Sequence, residues 1–222
     1  MTQNLNWQPL KNKDELAITA AKRIAAAAKQ AIAERGCFKL VLAGGSTPEN
    51  AYRLLIDLET DWQHWQVYYG DERCLPADHP DRNSKMATDV FLQYTSIPNA
   101  QIHPMPTELG GEQAARDYQA IVKQALPFDL VLLGMGEDGH TASLFPGHEH
   151  DEHALVHAVY EAPKPPAERV SLSAKALSES RAVLFLISAA NKQQALEAWQ
   201  RGDNLPVALI QPKTSVTVLL AD

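Results

Sequence analysis

The sequence is poor in cysteine and has no long apolar run. Cys37 and Cys74 are its two cysteines, with neither a Cys-x-x-Cys spacing nor another thiol close by. This argues against a disulfide scaffold and against a zinc site, and it fits a reducing compartment. No apolar run approaches the roughly 18 residues of a membrane span, and the N-terminus lacks the basic start and apolar core of a signal peptide. We therefore expect a soluble, cytoplasmic protein.

Positive charge is scarce as well. The chain has 20 Lys and Arg residues against 27 Asp and Glu residues, a formal net charge of -7. Nucleic acids and anionic membranes bind through clustered basic charge, so neither is expected as a partner. An anionic ligand would have to be held by a few local donors.

The 222 residues, 45% of them hydrophobic, can bury one substantial core. We expect a single domain over residues 1–222.

Strand and helix patterns alternate along the chain. Near-continuous apolar strands covered by helices are typical of a mainly parallel α/β sheet with helices on both faces, where ligands bind at the carboxyl ends of the strands. The predicted strands cover residues 37–43, 66–69, 128–133, 169–172, 181–187 and 215–220. The predicted helices cover residues 12–35, 48–56, 84–93, 112–126 and 191–199, and residues 154–160 are mixed in character.

One histidine lies on a glycine-rich turn, residues 134–147, directly after the predicted strand 128–133. Histidine is suited to proton transfer near neutral pH, and the end of a parallel strand is a common place for catalytic groups. His140 is therefore a candidate catalytic residue. A Gly-Asp-Gly sequence also forms ordinary tight turns, so this segment alone leaves a structural interpretation equally open.

A second glycine loop follows the predicted strand 37–43 and is suited to a phosphate. Gly44 and Gly45 let the backbone approach closely, Ser46 or Thr47 can cap the next helix, and Pro48 suits its first turn. The loop matches neither the dinucleotide pattern nor the P-loop, so NAD and ATP are not favoured. A capped helix start without a ligand is the alternative interpretation.

Charged side chains near the ends of other strands extend the candidate site. Asp71 and Arg73, in a polar loop over residues 70–83, are expected at the same sheet edge as the histidine, whereas Glu72 is expected to form an ion pair in a solvated loop. Arg169 follows a proline-stiffened loop and could grip phosphate bidentately. Lys192 could add positive charge, although most helix lysines simply face water.

Several histidines and carboxylates cluster at residues 148–153, with His157 beyond them. Their spacing lacks the His-x-x-x-His pattern of a helical metal site, and the next segment, residues 154–160, looks extended. We therefore interpret the cluster as a solvated surface loop and expect no metal.

Four motifs together resemble the 6-phosphogluconolactonases, within the glucosamine/galactosamine-6-phosphate isomerase superfamily. The motifs are residues 42–48, residues 70–73 with Asn83, residues 134–147, and residues 163–166 with Arg169. The run after Asp-Gly-His is the most specific, since the related deaminases are expected to continue with an Asn-Glu pair that is missing here. One departure is Arg82, where the resemblance leads us to expect serine. The resemblance implies a modified Rossmann-like sheet.

The resemblance implies hydrolysis of 6-phospho-D-glucono-1,5-lactone to 6-phospho-D-gluconate, with no cofactor. His140 would activate water, Asp71 would orient the imidazole or a sugar hydroxyl, and Arg73 would stabilise the oxyanion. The phosphate would lie on the loop that begins at Gly44. The remaining implied residues are Gly45, Ser46, Thr47, Arg169 and Lys192 for phosphate, with Asn83, Asp138 and Gly139 in support.

Two other functions remain open from the residues. An amino-sugar-phosphate deaminase or isomerase would use Asp71 as the base for a carbon acid and His140 for ring opening. A non-catalytic sugar-phosphate sensor would bind its ligand through the phosphate loop without turnover. The sequence does not indicate the oligomeric state.

Overall fold

The computed structural model describes residues 3–148, 151, 153–214 and 216–222. Over these residues the strands are β1 Leu5–Leu10, β2 Phe38–Leu42, β3 Trp65–Tyr69, β4 Asp71–Arg73, β5 Leu130–Leu133, β6 Val156–Val159, β7 Arg169–Leu172, β8 Val183–Ser188 and β9 Val216–Ala221. The α-helices are α1 Lys13–Arg35, α2 Ser46–Leu55, α3 Asn83–Val90, α4 Gly111–Ala125, α5 Ala174–Ser178 and α6 Gln193–Arg201. Short 3-10 helices lie at Trp62–His64, Leu92–Tyr94, Asn99–Gln101, Thr107–Leu109 and Pro206–Leu209.

The main sheet contains six parallel strands in the order β1-β9-β8-β5-β2-β3. Every residue of β5 and β8 is buried, so both faces of the sheet are covered there. The chain passes from β2 to β3 on one side and later adds β5 on the other side of β2. This reversal opens a crevice at the carboxyl ends of β2 and β5, where open α/β sheets bind ligands. The predicted parallel α/β fold is confirmed.

A second, antiparallel sheet has the order β4-β7-β6. In its register Asp71 pairs with Ser171, and Arg73 pairs with Arg169. The prediction that residues 71–73 belong to a loop is therefore wrong. These polar residues show no apolar alternation, and they form a strand because β7, from much later in the chain, supplies the hydrogen-bonding partner.

Local signals placed several elements well. Helix α1 is capped by Asn12, whose side chain accepts from Glu15 N at 2.9 Å, and it ends at Gly36 with φ of 76°. Strand β7 has the predicted bounds. Ser215, the predicted start of the last strand, lies outside the described residues. Strand β1 and helix α5 were not predicted, and β1 is paired with the far end of the chain through β9.

None of the helices in the described part of the chain is long and apolar enough to cross a bilayer. The expectations of one domain and of a cytoplasmic location stay predictions.

Candidate active site

A cavity of about 390 Å³ opens at the carboxyl ends of β2, β3, β5 and β8. Most of the side chains and glycines expected at a site line it, although they come from separate parts of the chain. Those that line it are Gly44, Gly45, Ser46, Thr47, Asp71, Arg73, Asn83, His140, Arg169 and Lys192. Asp138 and Gly139, expected in support, are not among the lining residues but shape the turn that carries the histidine.

The imidazole of His140 is oriented by Asp138. His140 Nδ1 lies 2.5 Å from Asp138 Oδ1, and the same oxygen accepts from His140 N at 3.1 Å. Partial burial works to raise the pKa of Asp138, but these hydrogen bonds outweigh it, so the pKa lies below its ordinary value. Because Asp138 is then a carboxylate at neutral pH, Nδ1 carries the proton and donates it. Nε2 is left as the nitrogen that can accept a proton.

Glycine at position 136 makes room for this imidazole. A Cβ at Gly136 would lie 2.0 Å from His140 Cε1 and 2.1 Å from His140 Nδ1, far inside contact distance. On the other side, the ring packs against Phe145 with the centroids 4.8 Å apart. Gly139 completes the turn with φ of +81°, a conformation that glycine adopts without strain. The glycine pattern of the turn thus reflects the close approach of the histidine as well as backbone freedom.

The loop after β2 presents the start of helix α2 to the cavity. Gly45 is the helix N-cap with φ of 99°, and no side chain caps the helix. The prediction that Ser46 or Thr47 acts as the cap is wrong, because the helix begins at Ser46 itself. The N–H groups of this first turn, without a side-chain cap, suit an anion at the positive end of the helix.

Two buried side chains fix the position of this loop. Tyr52 on α2 accepts from Ala43 N and donates to Ala43 O, both at 2.9 Å, which holds the end of β2. Burial raises the pKa of the Tyr52 hydroxyl, so it stays protonated. Asn83 packs on Gly44 so closely that a Cβ there would lie 2.0 Å from Asn83 Oδ1. The loop is therefore tied to both α2 and α3.

The carboxylate of Asp71 is buried, and each of its two oxygens accepts a hydrogen bond from a side chain other than the histidine. Oδ1 accepts from Asn83 Nδ2 at 3.0 Å, and Oδ2 accepts from Ser143 Oγ at 2.6 Å. The expectation that Asp71 orients the imidazole is thus wrong, since Asp138 does so, and the alternative expectation, that Asp71 orients a sugar hydroxyl, stays a prediction. Asn83 Nδ2 also donates to Asp71 O at 2.9 Å, so this residue pins the strand after Gly70, as expected.

Glu72 anchors the scaffold beneath the cavity. It is fully buried, and its carboxylate accepts from the backbone N–H groups of Asn83 at 2.7 Å and Ser84 at 2.8 Å, which stabilises the start of α3. The expectation that Glu72 lies in a solvated loop is therefore wrong. Arg82 is buried too, with Nε 3.5 Å from Glu72 and Nη1 2.9 Å from Glu108 Oε2. Arg82, which stands where the resemblance predicts serine, therefore has a structural role in linking Glu72 and Glu108.

Arg73 is half-buried and lines the cavity. Its Nη1 donates to the carbonyl of Asp81, and its buried Nε has no hydrogen-bond partner among the described residues. This group is therefore braced by the loop after β4 and still retains donor capacity. Its assignment to an oxyanion stays a prediction.

Arg169 is committed mainly to its own loop. Nε donates to Pro166 O at 3.1 Å, and Nη2 donates to Lys164 O at 2.8 Å and Pro165 O at 3.1 Å. Nε and Nη2 are therefore not available for two parallel hydrogen bonds to a phosphate. The expectation that Arg169 binds phosphate bidentately is wrong. Nη1 remains, 4.0 Å from Asp71 Oδ2. Burial lowers the pKa of Arg169, and the Asp71 charge opposes this.

Lys192 is the N-cap residue of α6 and is half-buried at the cavity wall. Burial lowers the pKa of its ammonium, with Glu137 opposing the shift. Its ammonium makes no hydrogen bond or ion pair within the described part of the chain. Lys164, for which the sequence suggested no role, also lines the cavity, and its Nζ lies 3.8 Å from Glu137 Oε2. Its position in the proline-rich loop was the available signal.

Three residues of the histidine-rich segment, Glu149, His150 and Glu152, lie outside the described residues. His148 packs against Phe145 with the ring centroids 5.7 Å apart and does not line the cavity. Among the described residues, no group of three or more His, Cys, Asp or Glu side chains is arranged to hold a metal ion. The interpretation of the whole segment as a solvated loop stays a prediction.

Comparison with known proteins identifies the family. The family described as glucosamine-6-phosphate isomerases/6-phosphogluconolactonase matches residues 11–219. The chain belongs to this family. It is 39% identical to a 6-phosphogluconolactonase of Synechocystis over 75% of this chain and 73% of the relative. It is 38% identical to one of Mycobacterium leprae over 82% of this chain and 81% of the relative. The resemblance found in the motifs is confirmed.

Solved structures of the family share the whole architecture. A 6-phosphogluconolactonase from Thermotoga maritima superimposes with a TM-score of 0.92 at 28% identity, covering 98% of this chain and 100% of that chain. One from Trypanosoma brucei gives 0.88 at 28% identity, covering 100% and 97%. A monomeric glucosamine-6-phosphate deaminase gives 0.86 at 24% identity, covering 97% of each chain, and shows a shared fold.

Proposed function

We propose that the protein hydrolyses 6-phospho-D-glucono-1,5-lactone to 6-phospho-D-gluconate in the oxidative pentose phosphate pathway. Its relatives in the family carry the name 6-phosphogluconolactonase. The observation that carries the proposal is the Asp138–His140 pair, which sets a proton-accepting nitrogen beside a cavity lined by cations and an anion-binding helix start.

His140 is the general base in this proposal. Nε2 takes a proton from a water molecule as the water oxygen bonds to C1 of the lactone. The bond between C1 and the ring oxygen then breaks, and the imidazolium returns the proton to that oxygen, which gives the open-chain acid. A lactone carbonyl is already electrophilic, so a positioned base, typically contributing about 10²- to 10⁴-fold, is a sufficient device. Asp138 stabilises the imidazolium that forms.

In this proposal, the phosphate of the substrate binds at the start of α2. The N–H groups of Ser46 and Thr47 belong to the first turn of α2 and donate to the phosphate, while Lys192 and Nη1 of Arg169 supply positive charge. Charge-assisted contacts of this kind are stronger than neutral ones. Arg73 is the proposed donor to the oxyanion that develops on the lactone carbonyl.

The test generates the lactone in situ by oxidising glucose 6-phosphate and measures acid release against the spontaneous rate. We expect His140→Ala to lower turnover about 10²- to 10⁴-fold while binding of 6-phosphogluconate persists. His148→Ala is the matched control, because its ring packs on the same Phe145 without lining the cavity. It should retain wild-type turnover.

The outcomes separate the two parts of the proposal. Wild-type turnover in His140→Ala would refute the general base but leave the activity standing. A wild-type rate equal to spontaneous hydrolysis would refute the activity. Ammonia release from glucosamine 6-phosphate would then favour the deaminase, and product binding without turnover would favour the sensor.

A further inference from the structure

Asp71 is the one carboxylate lining the cavity whose oxygens are both fixed by neighbouring side chains within the described residues. Oδ1 accepts from Asn83 Nδ2 at 3.0 Å, and Oδ2 accepts from Ser143 Oγ at 2.6 Å, with Arg169 Nη1 at 4.0 Å. A carboxylate has about four lone-pair sites, so acceptor capacity remains toward the cavity that Asp71 lines. A ligand group that contacts Asp71 from the cavity must therefore donate a hydrogen bond to the carboxylate.

The substrate of the proposed reaction offers donors of one kind. The carbonyl, ring and phosphate oxygens of the lactone are acceptors, whereas the hydroxyls at C2, C3 and C4 can donate. Asp71 therefore matches a ring hydroxyl and repels the phosphate. Since the phosphate is proposed to lie at the start of α2, a hydroxyl on Asp71 would fix the rotation of the sugar ring above His140.

Ser143 is the donor that no step of the mechanism uses. It is fully buried, and its backbone N–H donates to Ser171 Oγ at 3.2 Å. The neighbouring Thr141 donates through Oγ1 to Gly134 O at 2.8 Å, which ties the segment to the end of β5. One braced segment thus carries both His140 and the donor to Asp71. The spacing between base and carboxylate is set before substrate binds.

We infer that Ser143 is a positioning residue that holds Asp71 as the acceptor for one ring hydroxyl of the lactone, and so helps to select the sugar. The inference rests on the proposed function. Without the serine hydroxyl, Asp71 Oδ2 loses its short hydrogen bond, and the carboxylate can turn away from the substrate toward Arg169.

The experiment compares the wild type with Ser143→Ala on four substrates: the full lactone and the 2-, 3- and 4-deoxy lactones, each generated in situ. For the full lactone, kcat/KM should fall roughly 10- to 100-fold, the range for a charge-assisted hydrogen bond. For the deoxy lactone that lacks the recognised hydroxyl, the two proteins should become equal. A purely structural defect would lower all four rates by one factor.

Ser171→Ala is the matched control. Its hydroxyl is equally buried, accepts from Ser143 N and donates to Leu172 O at 3.0 Å, so its removal disturbs the same packing. It should leave the ranking of the four lactones unchanged. Asp71→Asn, which keeps the side-chain shape, should lose discrimination at the same hydroxyl, and it supplies the test if Ser143→Ala does not fold.

Two results would overturn the inference while the proposed function stands. One is a uniform loss over all four lactones in Ser143→Ala. The other is wild-type discrimination among the lactones in Asp71→Asn. If the wild type accelerates none of the four, the proposed function fails first and this inference fails with it.

Discussion

Replacing Gly136 by alanine should remove most of the catalytic rate without removing a catalytic group. The new Cβ would lie 2.0 Å from His140 Cε1, whereas ordinary contacts begin near 3.4 Å, so the ring must move by roughly 1.4 Å. The ring can yield, because it is a side chain at the cavity wall with 17% of its surface exposed. The strain is therefore relieved by displacing the imidazole from Asp138.

The size of the effect follows from this displacement. A misplacement of about 1 Å can cost on the order of 10²-fold in rate, or about 2.7 kcal/mol in the barrier. The loss is bounded by the full contribution of a general base, about 10⁴-fold. Gly136 does not have a positive φ, so alanine also restricts the unfolded chain, and we expect the free energy of unfolding to change by less than about 1 kcal/mol.

The assay is kcat for acid release from the lactone, with product binding measured by calorimetry and folding by thermal melting. Gly136→Ala in the His140→Ala background is the control, since a change that acts through the imidazole should have no further effect once the imidazole is gone. Wild-type kcat in the single variant would refute the steric reasoning. A further loss in the double variant would show that Gly136 acts by another route.

Two more predictions concern buried charges. Glu72→Gln should lower the free energy of unfolding by roughly 2–4 kcal/mol in chemical denaturation, because a fully buried acceptor of backbone N–H groups is lost. Glu108→Gln is the control, because Glu108 is 42% exposed and pairs with Arg82, the arginine that also contacts Glu72. It should lower the free energy of unfolding by less than about 1 kcal/mol. Equal losses of free energy in the two variants would contradict this account. Lys192→Met should raise the Tm of the ligand-free protein near neutral pH. Burial lowers the pKa of Lys192 in the folded protein, so the charged ammonium destabilises the fold at that pH. The gain in Tm should shrink as the pH rises through the folded-state pKa, because the wild-type amine then loses its charge. The same variant should bind 6-phosphogluconate at least about 10-fold more weakly, and unchanged affinity would exclude Lys192 from the phosphate site.

Some positions could not be derived from local sequence because their partners are remote in the chain. Residues 71–73 lack strand periodicity, and they become β4 only by pairing with β7. Ser143 lies within the most specific motif, but its role could not be derived from that motif, because its partner Asp71 is 72 residues away in the chain. Glu72 was expected in solvent for the same reason, since its partners at the start of α3 come together only in the fold.

The sequence by itself determined the alternation of strands and helices, the glycine turn that carries His140, the glycine loop after β2 and the family. These features depend on neighbours within a few residues, through apolar periodicity, backbone freedom at glycine and helix capping. Only the tertiary structure decided that Asp71 is held by Asn83 and Ser143 rather than by the imidazole, and that the carboxylate of Glu72 meets the start of α3. Hydrogen bonds are directional over about 3 Å, so which partners meet depends on the strand order and register of the whole sheet.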